Sequence, residues 1–363
     1  MKKLFVFLIL AASAAMFAAC SDDSTDDFTD DSTDDSAPNW EESIYKKGCI
    51  SMESKAEQLS ITIFTFNAGD TLLVDWGDGT IVDEIAHEYF EHGHIELKYQ
   101  YNFSTSESHT IKIFGDIMQL GCNNNQLTSL DVSGCTTLEE LYCRSNQLTS
   151  LDVSGCTALK KLDYIGNQLT SLNVSGCTIL EYLNCSDEQL TSLDVSGCTA
   201  LKELWCYNNQ LTSLNVSGCT ILERLSCGNN QLTSLNVSGC TALEYLWCCD
   251  NQLTSLNVSG CTTLETLWCY NNQLTSLDVS KNTALEELQC KDNQLTSLDV
   301  SGCTALKSLQ CYNNQFSASA MNKIYNDLPQ GRVDEDGIRS TLRCNRLGDY
   351  SIAERKGWNV YEW

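Results

Sequence analysis

Leucine recurs along this chain on a fixed beat. Leu127, Leu148, Leu169, Leu190, Leu211, Leu232, Leu253, Leu274 and Leu295 stand 21 residues apart, and Phe316 keeps the place once more. Ile117, Leu138, Leu159, Leu180, Leu201, Leu222, Leu243, Leu264, Leu285 and Leu306 hold the same interval in a second slot. A fixed period of this size predicts a solenoid, in which each period winds one coil and the coils stack. Inside a period, apolar and polar residues alternate over short stretches, as in strands with one buried face. One coil alone cannot bury enough apolar surface to offset the entropy of ordering it. Stability therefore arrives only with neighbours, and both open ends need caps. The chain has 2 Pro in 363 residues, which leaves long hydrogen-bonded ladders uninterrupted.

One period shows the internal grammar. Leu138, Leu141, Cys143, Asn146 and Leu148 spell LxxLxCxxNxL, and Leu148, Leu151, Val153 and Cys156 spell LxxLxVxxC. The first half resembles the leucine-rich-repeat signature. The whole is similar to the 21-residue double repeats of bacterial surface proteins, and loosely to internalins. The resemblance runs from Ile117 to Phe316. It implies a leucine-rich-repeat solenoid, α/β in class but strand-dominated, of about ten coils with two short strands each. In such proteins the sheet of the first half-unit lines the concave side and usually binds the ligand.

Two further slots carry polar groups inward. Asn125, Asn146, Asn167, Asn209, Asn230, Asn251, Asn272, Asn293 and Asn314 share one of them. A side-chain amide there both donates and accepts, so it satisfies backbone groups turned inward at the bend. Glu188 interrupts the column, and since a carboxylate only accepts, a local defect is expected at that coil. Most of the 21 Cys fall in two columns: one runs from Cys122 to Cys311 with Tyr164 standing in once, the other from Cys135 to Cys303 with Asn282 standing in once. An Asn replacement suits a slot that asks for a small polar group, not one that asks for a disulfide. Buried free thiols are therefore expected. Secretion permits disulfides, but in-register side chains point the same way. Zinc is disfavoured because the repeats hold no His and no paired CxxC. Cys249 is expected to face outward as a reactive thiol, while Cys49 and Cys344 fall outside the array without an assignment.

The outward positions differ between the two half-units. The second half presents Thr, Ser, Asp or Asn almost without change. In the first half, the positions flanking the second Leu and the Cys hold Tyr142, Tyr182, Trp205, Tyr207, Tyr245, Trp247, Trp268, Tyr270 and Tyr312, with Arg144, Lys161, Arg224 and Lys291 interspersed. Strand alternation sets them opposite the leucines. Exposed Trp and Tyr are the anchors that interfaces favour, and they also stack on sugar rings. These nine are the candidate binding residues. The uniform Thr/Ser face suggests ordered-water templating as a lesser alternative.

The termini read differently. Lys2 and Lys3 precede an apolar run from Leu4 to Ala19, shorter than a membrane span needs and shaped like a signal peptide. Phe17-Ala18-Ala19-Cys20 resembles a bacterial lipobox, which implies removal of residues 1–19 and lipidation of Cys20. Residues 20–38 form an acidic linker whose composition cannot build a core. Its Ser21-Asp22-Asp23 start resembles the export signal of surface lipoproteins in diderm bacteria, which implies an exposed, outer-membrane location. Residues 39–116 alternate like strands over Leu59–Phe66, Thr71–Val74, Glu96–Asn102 and His109–Phe114. Val74-Asp75-Trp76-Gly77-Asp78-Gly79-Thr80 resembles the hallmark of PKD-like β-sandwich modules. Asp75 and Asp78 are turn formers with calcium as an alternative, and His87, His92 and His94 with Glu88 and Glu91 are a weak metal candidate. Residues 317–363 should cap the far end through a helix bearing Met321, Ile324, Tyr325 and Leu328, followed by a short helix capped by Asp349 and closing Trp358, Val360 and Trp363.

The formal charge of −26 argues against nucleic-acid and anionic-membrane surfaces, which need cationic contacts to phosphate. No phosphate loop, nucleophile elbow or His beside a repeat Cys or Ser is present, so neither an enzyme nor a cofactor or metal is expected. The expectation is a monomeric, lipid-anchored surface protein that binds a partner protein through its aromatic concave face. A glycan ligand on the same rings is the alternative, and a passive stalk the next.

Overall fold

The computed structural model describes residues 49–65, 71–85, 95–105, 107–333 and 339–362. The leader, Cys20, the acidic segment, Trp363, His87, His92, His94, Glu88 and Glu91 lie outside the described residues. The N-terminal strands are β1 (Cys49–Ser54), β2 (Gln58–Thr65), β3 (Thr71–Asp75), β4 (Ile81–Ile85), β5 (Ile95–Asn102), β6 (His109–Phe114), β7 (Ile117–Gly121) and β8 (Leu127–Asp131). The repeats add β9 (Glu140–Tyr142), β10 (Lys161–Asp163), β11 (Tyr182–Asn184), β12 (Ser192–Asp194), β13 (Glu203–Trp205), β14 (Ser213–Asn215), β15 (Arg224–Ser226), β16 (Tyr245–Trp247), β17 (Thr266–Trp268), β18 (Glu287–Gln289) and β19 (Ser308–Gln310). Helix α1 (Ala318–Asp327), β20 (Thr341–Cys344), helix α2 (Ser351–Arg355) and β21 (Asn359–Glu362) complete the chain.

The strand-dominated solenoid is present, with about 11 turns. Leu141, Leu162, Leu183, Leu204 and their equivalents pair in parallel, residue for residue, and all are fully buried. The opposite side is looser than one strand per coil. β12 pairs with β14, and elsewhere isolated bridges such as Asn236–Asn257 and Asn257–Asp278 suffice.

The solenoid does not begin at a free edge. β2 runs antiparallel between β5 and β7, so the concave sheet continues into the N-terminal strands. β1 does the same on the other side, between β6 and β8. Asn125, first of the asparagine column, accepts from the Ser60 amide at 2.8 Å and donates to the Ser60 carbonyl at 2.7 Å. Gly77 has φ +78° and a side chain there would meet the Thr110 carbonyl oxygen at 2.3 Å, so only glycine fits this turn. Asp75 and Asp78 act as turn formers, each accepting a backbone N–H two residues on, from Gly77 and Thr80. Tyr101 stacks on buried Trp76 at 4.5 Å and donates to Asp78 at 2.7 Å.

At the far end Ser317 caps α1, whose Met321, Ile324 and Tyr325 are buried. The Asp349 side chain accepts from the Ser351 amide at the start of α2. Trp358 is buried and donates to the Pro329 carbonyl. β20 and β21 extend the concave sheet in parallel. Leu342 and Cys344 thereby take the Leu and Cys slots of one more coil, both fully buried, which explains a turn beyond the expected ten.

The asparagine column works as the amide chemistry requires. Asn272 donates to Cys269 O of its own coil at 3.1 Å and to Cys248 O of the preceding coil at 3.0 Å, and accepts from the Leu253 amide at 2.9 Å. The residue just before the column turns left-handed: Ser145, Asp187, Asn208, Asn229, Asp250, Asn271, Asp292 and Asn313 all have positive φ, and Gly166 keeps the slot. Short polar residues tolerate this conformation, which explains the slot's composition. Glu188 does not break the ladder. Its two oxygens accept from the Asn167 and Leu169 amides at 2.6 and 2.8 Å. The donor it lacks is covered by neighbours, since Asn167 donates to Tyr164 O and Asn209 to Cys185 O. The cost lies in its charge: burial raises its carboxyl to about 7, against the pull of the two amides.

From its ordinary value of 4.5 up to about 7, folded Glu188 holds a proton that the unfolded chain has released. Stability therefore falls as pH rises through that window and stays lowered above it. Glu188→Asn should raise stability at pH 8 by roughly 3 kcal/mol, at ~1.4 kcal/mol per pKa unit, and by clearly less at pH 5. Urea denaturation at both values checks this, and equal gains at both would separate the effect from the carboxylate charge.

Candidate binding face

Register turns each outward position of the repeat into a column across the sheet. One column runs Tyr142, Asp163, Asn184, Trp205, Ser226, Trp247, Trp268, Gln289, Gln310. Beside it runs Glu140, Lys161, Tyr182, Glu203, Arg224, Tyr245, Thr266, Glu287, Ser308. A third, just past the Cys slot, holds Tyr207, Gly228, Cys249, Tyr270, Lys291 and Tyr312.

The structure sorts the nine candidate residues into three groups. Trp205, Tyr207, Tyr245, Trp247, Trp268 and Tyr270 line one cavity of about 580 Å³. Trp205 and Trp247 belong to coils separated by a third, yet their rings stack at 5.5 Å and 25°, leaning over Ser226 and burying it. Tyr245 stacks on Trp247 at 5.6 Å, and Trp268 meets Trp247 edge to face at 71°. Tyr142 and Tyr182 instead join a polar network. Arg144 pairs with fully buried Asp163, which also accepts from the Tyr182 hydroxyl at 3.3 Å, while the Tyr142 hydroxyl donates to Glu140 at 2.9 Å. Tyr142 also lines a polar depression of about 370 Å³ with Thr62 and Phe64 of β2.

Tyr312 departs from expectation: it is 3 % exposed and presents no open ring. The C-terminal cap lays another layer on its coil, where the Cys311 amide donates to Arg343 O and the Asn313 amide to Asn345 Oδ1, both at 2.9 Å. The interspersed cations are tied down too. Lys161 pairs with Glu140 and Arg224 with Glu203. Arg224 also lies 5.2 Å over the Tyr245 ring, and Lys291 lies 4.7 Å over Tyr270.

The sequence singled out Cys249 but not the other two small residues of the cavity. Gly228 and Cys249 are small where neighbouring coils carry Tyr207 and Tyr270, which leaves the hollow open, and Ser226 is small where Trp205 and Trp247 close over it. Reading each column for its exceptions, rather than for its rule, would have found Ser226 and Gly228.

A family described as Leucine Rich repeats (2 copies) matches residues 222–260 and 241–282. Fold and match together define a leucine-rich-repeat solenoid. No curated protein matches the chain. Among solved structures, the plant peptide hormone receptor RGFR1 in complex with RGF2 is similar at 21 % identity and TM-score 0.52, covering 59 % of this chain and 37 % of that one. The functional domain of InlJ from Listeria monocytogenes, which includes a cysteine ladder, is 24 % identical at TM-score 0.39, covering 69 % and 70 %. YopM, a leucine-rich effector of Yersinia pestis, is 26 % identical at TM-score 0.47, covering 55 % and 56 %. The receptor match supports the fold alone.

The 19 cysteines from Cys122 to Cys344 are free thiols, and all but Cys249 are buried. In the second column the thiol donates to the Val carbonyl 24 residues back, as Cys219 does to Val195 O at 3.3 Å. Asn282 makes the same contact to Val258 O at 3.1 Å, which is why it can replace a cysteine. Cys249 does face outward, but it is not activated: burial pushes its thiol up to about 11. Native protein treated with maleimide should label at Cys249 before any cysteine of the two ladders, slowly at pH 7 and faster as pH rises towards that value. Peptide mass mapping reads the order, and faster labelling within either ladder would contradict the packing.

Proposed function

We propose that this protein is a lipid-anchored binding protein of the outer membrane, exposed at the cell surface, that docks a protein ligand on its concave face as a monomer. The supporting observation is the gathering of six Trp and Tyr side chains, from three of four successive coils, around one open cavity. Large amphipathic rings of this kind carry most of the energy in protein interfaces. A sugar ring lies flat on a whole aromatic face, and Trp205 and Trp247 already cover one another, which favours a protein ligand, whose side chains need only part of a ring, over a glycan. The Phe17–Cys20 lipobox supports the anchor, and the acidic 20–38 segment suits a tether that holds the repeats away from the membrane. The PKD-like 39–116 stretch acts as a module that closes the N-terminal end.

Trp205→Ala, Trp247→Ala and Trp268→Ala combined should abolish ligand capture while thermal melting stays cooperative; capture that survives moves the site elsewhere. Antibody should label intact cells without permeabilisation, and Cys20→Ser should shift the protein from the membrane fraction to the soluble one. Labelling seen only after permeabilisation would place it on the periplasmic side.

A further inference from the structure

We propose that the aromatic hollow receives the cationic head of a lysine or arginine side chain, so that the partner docks through a basic segment. This deepens the docking function above and rests on it. Of the residues that line the hollow, Asp250 and Glu287 are acidic and none is basic. Trp247 and Trp268 meet edge to face at 71° and line the hollow together with Asp250 and Glu287, rings and carboxylates of the kind that hold a cation. The face already shows this chemistry with its own residues: the Arg224 guanidinium lies over Tyr245, at the edge of the same hollow.

The flank of the hollow makes the demand for positive charge sharper. In the position just before each concave strand, the early coils alternate acid and base, and Lys160 pairs with Glu139 and Lys202 with Glu181, each at 2.7 Å. Glu286 and Lys307 resume the pairing at the far end, also at 2.7 Å. Between them the alternation stops: Glu223, Glu244 and Glu265 occupy three successive coils beside the hollow. Glu265 reaches a residue of its lining, accepting from the Tyr245 hydroxyl at 3.1 Å. Adjacent strands lie about 4.8 Å apart, so like charges in register repel. A partner that brings lysine or arginine relieves this repulsion, and an acidic or neutral partner does not.

The test uses the full chain and a fluorescein-labelled peptide, acetyl-GRGKGRG-amide, read by anisotropy and by tryptophan emission. An acidic peptide of matched length and cellohexaose serve as competitors. The basic peptide should bind, quench tryptophan and weaken about tenfold between 50 and 300 mM salt, as screening of partly exposed charges requires. Trp247→Ala, and Cys249→Trp, which fills the hollow from the column that elsewhere carries Tyr207 and Tyr270, should each weaken it about tenfold. Glu244→Gln with Glu265→Gln should weaken it while leaving the rings in place. Basic-peptide binding that ignores both Trp247→Ala and Cys249→Trp is mere attraction to an acidic protein and overturns the proposal. Displacement by cellohexaose with no response to the basic peptide overturns it in favour of a glycan. If a partner is lost by the triple-Trp variant yet binds independently of salt, the cation is wrong and the docking face stands; if the triple-Trp variant retains the partner, both fall.

Discussion

A buried amide that serves two coils at once is the interaction on which this structure depends. From Asn146 onward, each column asparagine joins a carbonyl of its own coil to one of the coil before and accepts an amide besides. That bond pattern has one solution only, in which equivalent residues lie in register. Once register is imposed, every outward position becomes a straight column, and the surface chemistry of the protein is a set of columns read across coils. Glu188 shows how tolerant the device is. Each carbonyl in the ladder has two possible donors, so the loss of one donor leaves none stranded.

The ends matter as much as the repeat. A stack of identical coils would present bare strand edges at both terminal faces, open to pairing with other chains. Here the N-terminal strands pair antiparallel with the first coil on both sheets, and the C-terminal segment adds two parallel strands under a helix. The same cap buries Tyr312, so closing the stack and limiting the exposed aromatic row are one structural event.

Much of the fold was legible because the repeat reports on itself. Ten copies distinguish what a slot requires from what it tolerates, as when Asn282 stands for Cys and reveals a donor to a valine carbonyl. Cys344 was legible too, through its Leu342-x-Cys344 spacing, but lay past the point where the 21-residue interval lapses. Strand β1 escaped notice because its partners, β6 and β8, are distant in sequence, and β4 because Ile81-Val82-Asp83-Glu84-Ile85 shows no clean alternation, although its partner β3 lies just before it. The candidate site was half legible. Alternation placed the rings on one face, but the way Trp205 and Trp247 lean together over Ser226 depends on side-chain packing two coils apart, which no local pattern encodes.

The seam between the N-terminal strands and the repeats has a mechanical consequence. β1 is flanked on both sides, by β6 and by β8, and β2 likewise by β5 and β7. Tension entering the chain at Cys49 therefore loads two rows of hydrogen bonds along each of these strands, in shear, before it reaches any coil. Three-residue strands, peeled one at a time, would give way bond by bond. Long flanked strands at the point of traction spread the load, and the stack behind them stays wound.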